Sequence, residues 1–232
     1  MKLIGLIGGL SWESSAAYYA LINRAAQQRL GGVHSARSLM ASLDFGAVEK
    51  LQAAGDWDGA SAMVVEAAKS LEAGGAELLV ICSNTMSIAS EAVAAACKTP
   101  LLHIADATAA PILAAGHRKV GLLGTAFTME MSFLKDRLAA QGLDILIPGP
   151  EDRATVHRVI YDELIKGIIA PASREAYLGV IGRLAAAGAE AVILGCTEIG
   201  LLIDQSMTAI PLFDTMALHA IAALDRAMES EK

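Results

Sequence analysis

Two residues that can exchange protons stand at similar places in the chain, each shortly after an apolar run. Ser83 follows the run 78–82, and Cys196 follows the run 191–194. A free cysteine thiol has a pKa of about 8.5, and a helix N-terminus lowers that pKa. We therefore expect Cys196 to act as a base near neutral pH. An unassisted serine hydroxyl is a very poor base, so Ser83 would need help from water or a neighbouring group.

Each position also has an ordinary structural interpretation. A free cysteine is most often a small buried hydrophobic residue, and a serine after a strand often caps a helix. Cys82 should point away from Ser83 on the strand and pack in the core. Two acid/base groups that flank one carbon could remove its proton from one face and return a proton to the other.

The elements that would position these residues follow an α/β pattern. Apolar runs of strand length alternate with longer alanine-rich stretches of helical period, which predicts parallel strands joined by crossover helices. The predicted strands are 3–7, 38–42, 78–82, 101–104, 120–123, 144–147, 191–194 and 210–213. The predicted helices include 12–30, 57–73, 87–97, 131–141 and 173–187.

The chain also resembles itself. Residues 71–85 align without gaps on residues 184–198, which places Ser83 on Cys196. Two further matches in the same order pair 2–8 with 119–124 and 100–102 with 211–215. This repetition predicts two pseudo-symmetric Rossmann-like lobes with parallel sheets.

The repeat sets the expected domain boundaries and the place of the site. We expect one lobe to contain residues 1–100 and 211–232, and the other to contain residues 101–210. Ligands of open parallel sheets bind beyond the carboxyl ends of the strands, so we expect the active site in the cleft between the lobes.

Composition excludes several classes of function. The net charge is −7 with scattered lysines and arginines, so nucleic acid is not an expected partner. The apolar runs are shorter than the roughly 18 residues of a membrane span, and the N-terminal run lacks a signal-peptide pattern. Three cysteines without zinc spacing predict a reducing cytoplasm and no metal site. Nucleotide-binding glycine motifs are also absent, so no cofactor is indicated.

Several segments together resemble a known family. They are Gly8-Gly9-Leu10-Ser11-Trp12-Glu13-Ser14-Ser15, Asn84-Thr85-Met86, 100–108, 161–167 and Leu194-Gly195-Cys196-Thr197-Glu198-Ile199. The chain is similar in these segments to the aspartate/glutamate racemase family, and the similarity runs from residue 4 to about 215. The Gly-Cys-Thr-Glu and Gly-Gly-x-Ser-Trp-Glu-Ser pieces are the most specific.

The resemblance implies an isomerase that racemises aspartate or glutamate without pyridoxal phosphate (PLP) or another cofactor. It implies that Cys196 and Ser83 are the two catalytic residues. The residues that it implies for substrate binding are Ser11, Gln52, Asn84, Thr85, Lys166, Thr197 and Glu198. A lysine suits a second, side-chain carboxylate on the substrate. Relatives are often dimeric, so the resemblance also implies a homodimer.

Two departures from the family pattern weaken the expectation of symmetric catalysis. Ser83 replaces the thiol of many members, and Ser87 replaces a histidine. We therefore hypothesise that the protein handles one enantiomer better than the other. Two alternatives remain: a single-cysteine relative such as a decarboxylase or hydantoin racemase, and a non-catalytic amino acid binding protein.

Overall fold

Two four-stranded parallel sheets alternate with helices in the computed structural model, which describes residues 1–229. The strands are β1 Ile4–Gly8, β2 Ser38–Ser42, β3 Leu78–Ile81, β4 Leu101–Leu102, β5 Lys119–Gly124, β6 Asp144–Leu146, β7 Ala191–Gly195 and β8 Leu212–Asp214. The α-helices are α1 Trp12–Leu30, α2 Phe45–Ala53, α3 Trp57–Ala73, α4 Ser90–Ala96, α5 Ile104–Ala114, α6 Ala126–Glu130, α7 Ser132–Ala140, α8 Pro150–Asp162, α9 Pro171–Ala186, α10 Ile199–Leu202 and α11 Thr215–Met228. Short 3₁₀ turns span Thr85–Ala89, Leu164–Lys166 and Gln205–Met207.

The chain divides into two compact units. Unit 1 contains Met1–Ile104 and the chain from Met216 onward, and unit 2 contains Ala105–Thr215. The strand order is β2-β1-β3-β4 in unit 1 and β6-β5-β7-β8 in unit 2. Because the two orders correspond strand by strand, each repeat in the sequence forms the same supersecondary unit.

Helices cover both faces of the sheet in unit 1, as buried parallel strands require. Side chains alternate along β1, so Ile4 and Leu6 pack against α1 and α11 while Ile7 packs against α2 and α3. Cys82 is fully buried in the cluster of Ile4 and Leu6, which confirms its predicted place in the core. The central strand is therefore rigidly held up to its carboxyl end.

A similar arrangement holds β7 in unit 2. Val192 and Leu194 on β7 pack with Tyr177 of α9 and with side chains of α8 in one cluster, and Cys196 belongs to the same cluster. The residue that follows β7 is thus anchored by the core rather than carried on a free loop.

The predicted α/β class and all eight predicted strands are confirmed, with ends that shift by a few residues. Helices 12–30 and 57–73 have the predicted bounds. The predicted strand 101–104 is shorter because α5 already begins at Ile104. Unit 1 extends to Ile104, beyond the sequence boundary at 100, because β4 pairs with β3. Unit 2 extends to Thr215, beyond the boundary at 210, because β8 pairs with β7. Among residues 1–229, no helix is long and apolar enough to cross a membrane.

Candidate active site

Cys196 lies directly after β7 and is 9% exposed. Its thiol donates a hydrogen bond to Oε2 of Glu198 over 3.0 Å, and the hydroxyl of Thr197 donates to the same oxygen over 2.6 Å. Glu198 is itself buried, at 4% exposed. Three consecutive polar residues thus form one hydrogen-bonded group in which a carboxylate faces the thiol.

The turn that carries this group is fixed by its neighbours along the chain. The N–H of Ile199 donates to the carbonyl of Cys196 over 3.1 Å, and Ile199 and Leu202 of α10 are buried in the core cluster of unit 2. Nε of Arg174 donates to the carbonyl of Leu202 over 2.9 Å at the end of α10. The carboxylate and the thiol are therefore held together by backbone and core contacts.

The expected lowering of the Cys196 pKa is wrong. Burial raises the pKa of Cys196 well above its ordinary value, and the negative charge of Glu198 raises the pKa further. The helix that follows is one turn of four residues, so its N-terminal field is small beside the loss of water. At neutral pH the thiol stays protonated, which makes it a proton donor that needs an acceptor before it can act as a base.

Lys166 lies in unit 2 at the end of the 3₁₀ turn Leu164–Lys166, and its side chain is exposed. The turn contacts α10 and is anchored by Leu164, which is 1% exposed and shares the cluster of Cys196. The structure therefore brings the backbone of the lysine turn next to the helix that follows the Cys196 group.

Ser83 lies in unit 1 directly after β3 and Cys82, and it is half-buried. Its Oγ accepts a hydrogen bond from the N–H of Met86 over 3.2 Å, as a capping side chain does, although the residue at the cap position of the turn Thr85–Ala89 is Asn84 and not Ser83. Accepting this bond leaves the hydroxyl proton available to another acceptor. Capping and proton delivery are therefore compatible at this residue.

Asn84 and Thr85 are buried, at 3% and 8% exposed. Ser87, one of the two departures of the sequence from the family pattern, donates through its hydroxyl to the carbonyl of Asn84 over 2.7 Å. Its backbone N–H donates to the same carbonyl over 3.1 Å. Ser87 therefore closes the turn that carries Asn84, and an imidazole is not present there to exchange a proton.

The Gly-Gly-Leu-Ser segment is fixed by backbone geometry. Gly9 has φ +73, and a Cβ there would overlap the carbonyl oxygen of Leu43, so only glycine fits. Ser11 also has positive φ, at 117, and its Oγ caps α1 by accepting from the N–H of Ser14. Such a conformation is strained for a residue with a side chain and is often found at functional sites.

Gln52 lies on α2 in unit 1 and is 4% exposed. Its Nε2 donates to the sulfur of Met86 over 3.1 Å, which connects α2 to the turn after Ser83. Its Oε1 accepts no hydrogen bond from any group within residues 1–229. A buried acceptor without a donor is costly, so this amide oxygen is suited to receive a donor from a ligand.

Sequence reasoning missed two polar residues at the turn after β5 in unit 2: Thr125 follows the strand directly, and His157 contacts the turn from α8. Thr125 caps α6 through its side chain and is 7% exposed, as Ser11 caps α1 after β1. Nδ1 of His157 accepts from the N–H of Ala126 over 3.1 Å, and burial lowers the pKa of this imidazole. Extending the internal alignment of β1 and β5 by a few residues would have found Thr125, whereas His157 had no signal in the sequence.

Comparison with known proteins gives one consistent result. The family model described as Asp/Glu/Hydantoin racemase matches residues 7–223. The crystal structure of an Asp/Glu racemase candidate from Yersinia pestis is 49% identical, with a TM-score of 0.92 over 99% of this chain and 100% of that chain. An aspartate racemase homologue from Pyrococcus horikoshii OT3 is 32% identical, with a TM-score of 0.87 over 99% and 100%. An uncharacterised Pectobacterium carotovorum protein is 34% identical over 115 residues, which are 50% of this chain and 75% of that protein.

The repeated α/β units and these similarities define an isomerase of the racemase class. The chain belongs to the Asp/Glu/Hydantoin racemase family, as the sequence resemblance predicted.

Proposed function

We propose that this protein racemises an acidic amino acid, aspartate or glutamate, in the cytoplasm and without PLP. Cys196 and Ser83 are the two acid/base groups. The observation that carries the proposal is the hydrogen bond of the Cys196 thiol to the buried Glu198 carboxylate over 3.0 Å. This contact gives a protonated thiol a proton acceptor, and membership of the racemase family supports the reaction class.

Glu198 is the proton acceptor that lets the thiol of Cys196 act as a base. Glu198 accepts the proton of the Cys196 thiol, and the thiolate removes the Cα proton, which leaves the electron pair delocalised into the substrate's carboxylate. Ser83 or its water delivers a proton to the opposite face of the carbon. Glu198 then returns its proton to solvent, and solvent reprotonates the Ser83 side. In the other direction the protonated thiol of Cys196 is the donor.

Recognition of an acidic substrate rests on polar groups with distinct roles. The buried Oε1 of Gln52 accepts a hydrogen bond from the substrate's ammonium group, and Lys166 supplies the cation for a side-chain carboxylate. The family pattern assigns the remaining contacts to Ser11, Asn84, Thr85, Thr197 and Glu198. Glu198 also serves the thiol, because its carboxylate accepts from Cys196.

The difference between the two acid/base groups predicts unequal handling of the enantiomers. Ser83 is a poor base, so removal of the Cα proton is slow for the enantiomer whose proton faces it. Deuterium exchange at Cα, measured separately for L- and D-aspartate in D₂O, should therefore differ in initial rate. Ser83→Cys should raise the slower rate; equal wild-type rates would contradict this assignment.

Chiral chromatography after incubation without added cofactor tests the proposed substrate. The panel contains both enantiomers of aspartate and glutamate, a neutral amino acid, a hydantoin and an aryl malonate. We expect racemisation of aspartate or glutamate. Turnover of the hydantoin alone, or decarboxylation of the malonate alone, would instead support a single-cysteine relative. Aspartate binding without any Cα exchange would support a binding protein.

A further inference from the structure

The turn that carries Lys166 is closed by hydrogen bonds to one backbone carbonyl. The N–H groups of Lys166 and Ile168 both donate to the carbonyl of Glu163, each over 3.0 Å. Gly167 lies between them with a left-handed φ of 72, which lets the chain reverse its direction there. The path of the chain through Lys166 is therefore defined by its bonds to Glu163.

Packing contributes little to the order of this turn. The four residues 166–169 are all exposed, and Ile168 and Ile169 are 50% and 45% exposed. Within the segment 163–170, Leu164 is the one buried residue. Because little apolar surface is removed from water after residue 165, the position of Lys166 depends on hydrogen bonds rather than on the core.

The side chain of Glu163 connects the turn to α9. Its Oε2 accepts a hydrogen bond from Oγ of Ser173 over 2.6 Å, and its Oε1 lies 3.7 Å from the guanidinium of Arg158. The side chain of Glu163 is 18% exposed, and Ser173 is 7% exposed. A hydrogen bond to a carboxylate is stronger than one between neutral groups, and partial burial limits competition from water. This bond therefore fixes the turn against α9.

The helix α9 is itself fixed beside the core of Cys196. Ser173 and Tyr177 lie one turn apart on the same buried face of this helix. Tyr177 packs in the core cluster that contains Cys196, and its hydroxyl donates to the carbonyl of Val156 on α8 over 2.8 Å. The bond between Glu163 and Ser173 thus ties the lysine turn to the helix that packs on the Cys196 cluster.

The charge of Lys166 is not neutralised by a neighbouring carboxylate. Within residues 1–229, Lys166 forms no ion pair, although Glu163 precedes it by only three residues. The carboxylate of Glu163 is engaged by Ser173 and Arg158 instead. The bond to Ser173 therefore orders the turn and also keeps a competing carboxylate away from the lysine.

We propose that Glu163 is a positioning residue that, through Ser173, holds Lys166 where the second carboxylate of an acidic substrate binds. The inference rests on the proposed function, in which Lys166 binds that carboxylate. Without the bond to Ser173, the turn loses its order, and the released carboxylate of Glu163 pairs with Lys166 in place of the substrate. Binding of the substrate then weakens, whereas the hydrogen bond between Cys196 and Glu198 is retained.

Ser173→Ala removes the donor of this bond, and Ser173→Thr is the matched control because it keeps a hydroxyl group. Initial rates of Cα deuterium exchange give KM and kcat for the faster of aspartate and glutamate. We expect KM to rise about tenfold in Ser173→Ala while kcat changes by less than about threefold, and both values to stay near those of the wild type in Ser173→Thr. A wild-type KM in a folded Ser173→Ala protein would overturn the proposal. Should this variant fail to fold, Glu163→Ala removes the acceptor of the same bond, and the same outcomes decide.

A double variant separates positioning of the lysine from a general loss of structure. Lys166→Ala should raise KM by itself. Adding Ser173→Ala to it should raise KM no further, because the group that the bond positions is already gone. Effects of the two substitutions that multiply in the double variant would overturn the proposal.

Calorimetric titration with aspartate and glutamate distinguishes a failure of this inference from a failure of the proposed function, because binding needs no turnover. A wild type that binds either amino acid without Cα exchange would contradict racemisation alone. The Kd values of the same variants would then decide the positioning role by the same comparisons. A wild type that neither binds nor exchanges an acidic amino acid would overturn both.

Discussion

At the scale of single residues, Glu198 raises the pKa of the Cys196 thiol and accepts its hydrogen bond. Burial first, and then the charge of Glu198, raise the pKa of Cys196. Glu198→Gln removes that charge, so the pKa of Cys196 falls. The exchange rate should increase with pH as the thiol loses its proton, and in this variant that increase should occur at lower pH. Glutamine cannot accept a proton, so we expect Cα exchange at pH 7 to fall by about a hundredfold or more. A pH profile of deuterium incorporation followed by NMR measures both effects.

The control for this variant is Glu175→Gln, which makes the same change of charge at an exposed position of α9. It should leave the profile unchanged. A Glu198→Gln protein that exchanges faster than the wild type at pH 7 would contradict the proposed proton transfer. In that case Glu198 would act only by raising the pKa of the thiol.

At the scale of structural elements, the loop between β1 and α1 needs glycine at position 9 to adopt its backbone conformation. Gly9→Ala would place a methyl group against the carbonyl of Leu43 in a strained backbone conformation. We expect a loss of about 2 kcal/mol or more in the free energy of unfolding, together with lower activity. Gly46→Ala is the matched control, because its Cβ would make an ordinary contact 3.5 Å from Asp44 in helix α2. Urea unfolding measures both variants, and equal stabilities would contradict this account of the glycine motif.

The strands could be predicted from the sequence because each central strand is a short apolar run between helices. The places of Ser83 and Cys196 after β3 and β7 followed from the same pattern. The pKa direction of Cys196 could not be predicted, because it depends on burial by distant residues and on a helix of only one turn. The contact of Gln52 with Met86 was equally hidden, since it joins two segments that have no shared sequence signal.

At the scale of the whole molecule, the duplication predicts that one unit can fold without the other. Unit 2 is continuous in sequence, and it has its own four-stranded sheet and its own core cluster. We therefore expect the fragment 105–215 to fold by itself and to unfold cooperatively in urea. Dispersed amide signals in its NMR spectrum would support this. A collapsed fragment without dispersed signals would contradict it.

Loss of the Cα proton in D₂O tests the role of Cys196 most directly. Wild-type protein without added cofactor should incorporate deuterium at Cα of aspartate or glutamate, and Cys196→Ser should reduce the rate by at least about a hundredfold while circular dichroism stays unchanged. Exchange that continues at the wild-type rate in a folded Cys196→Ser protein would contradict the proposed function.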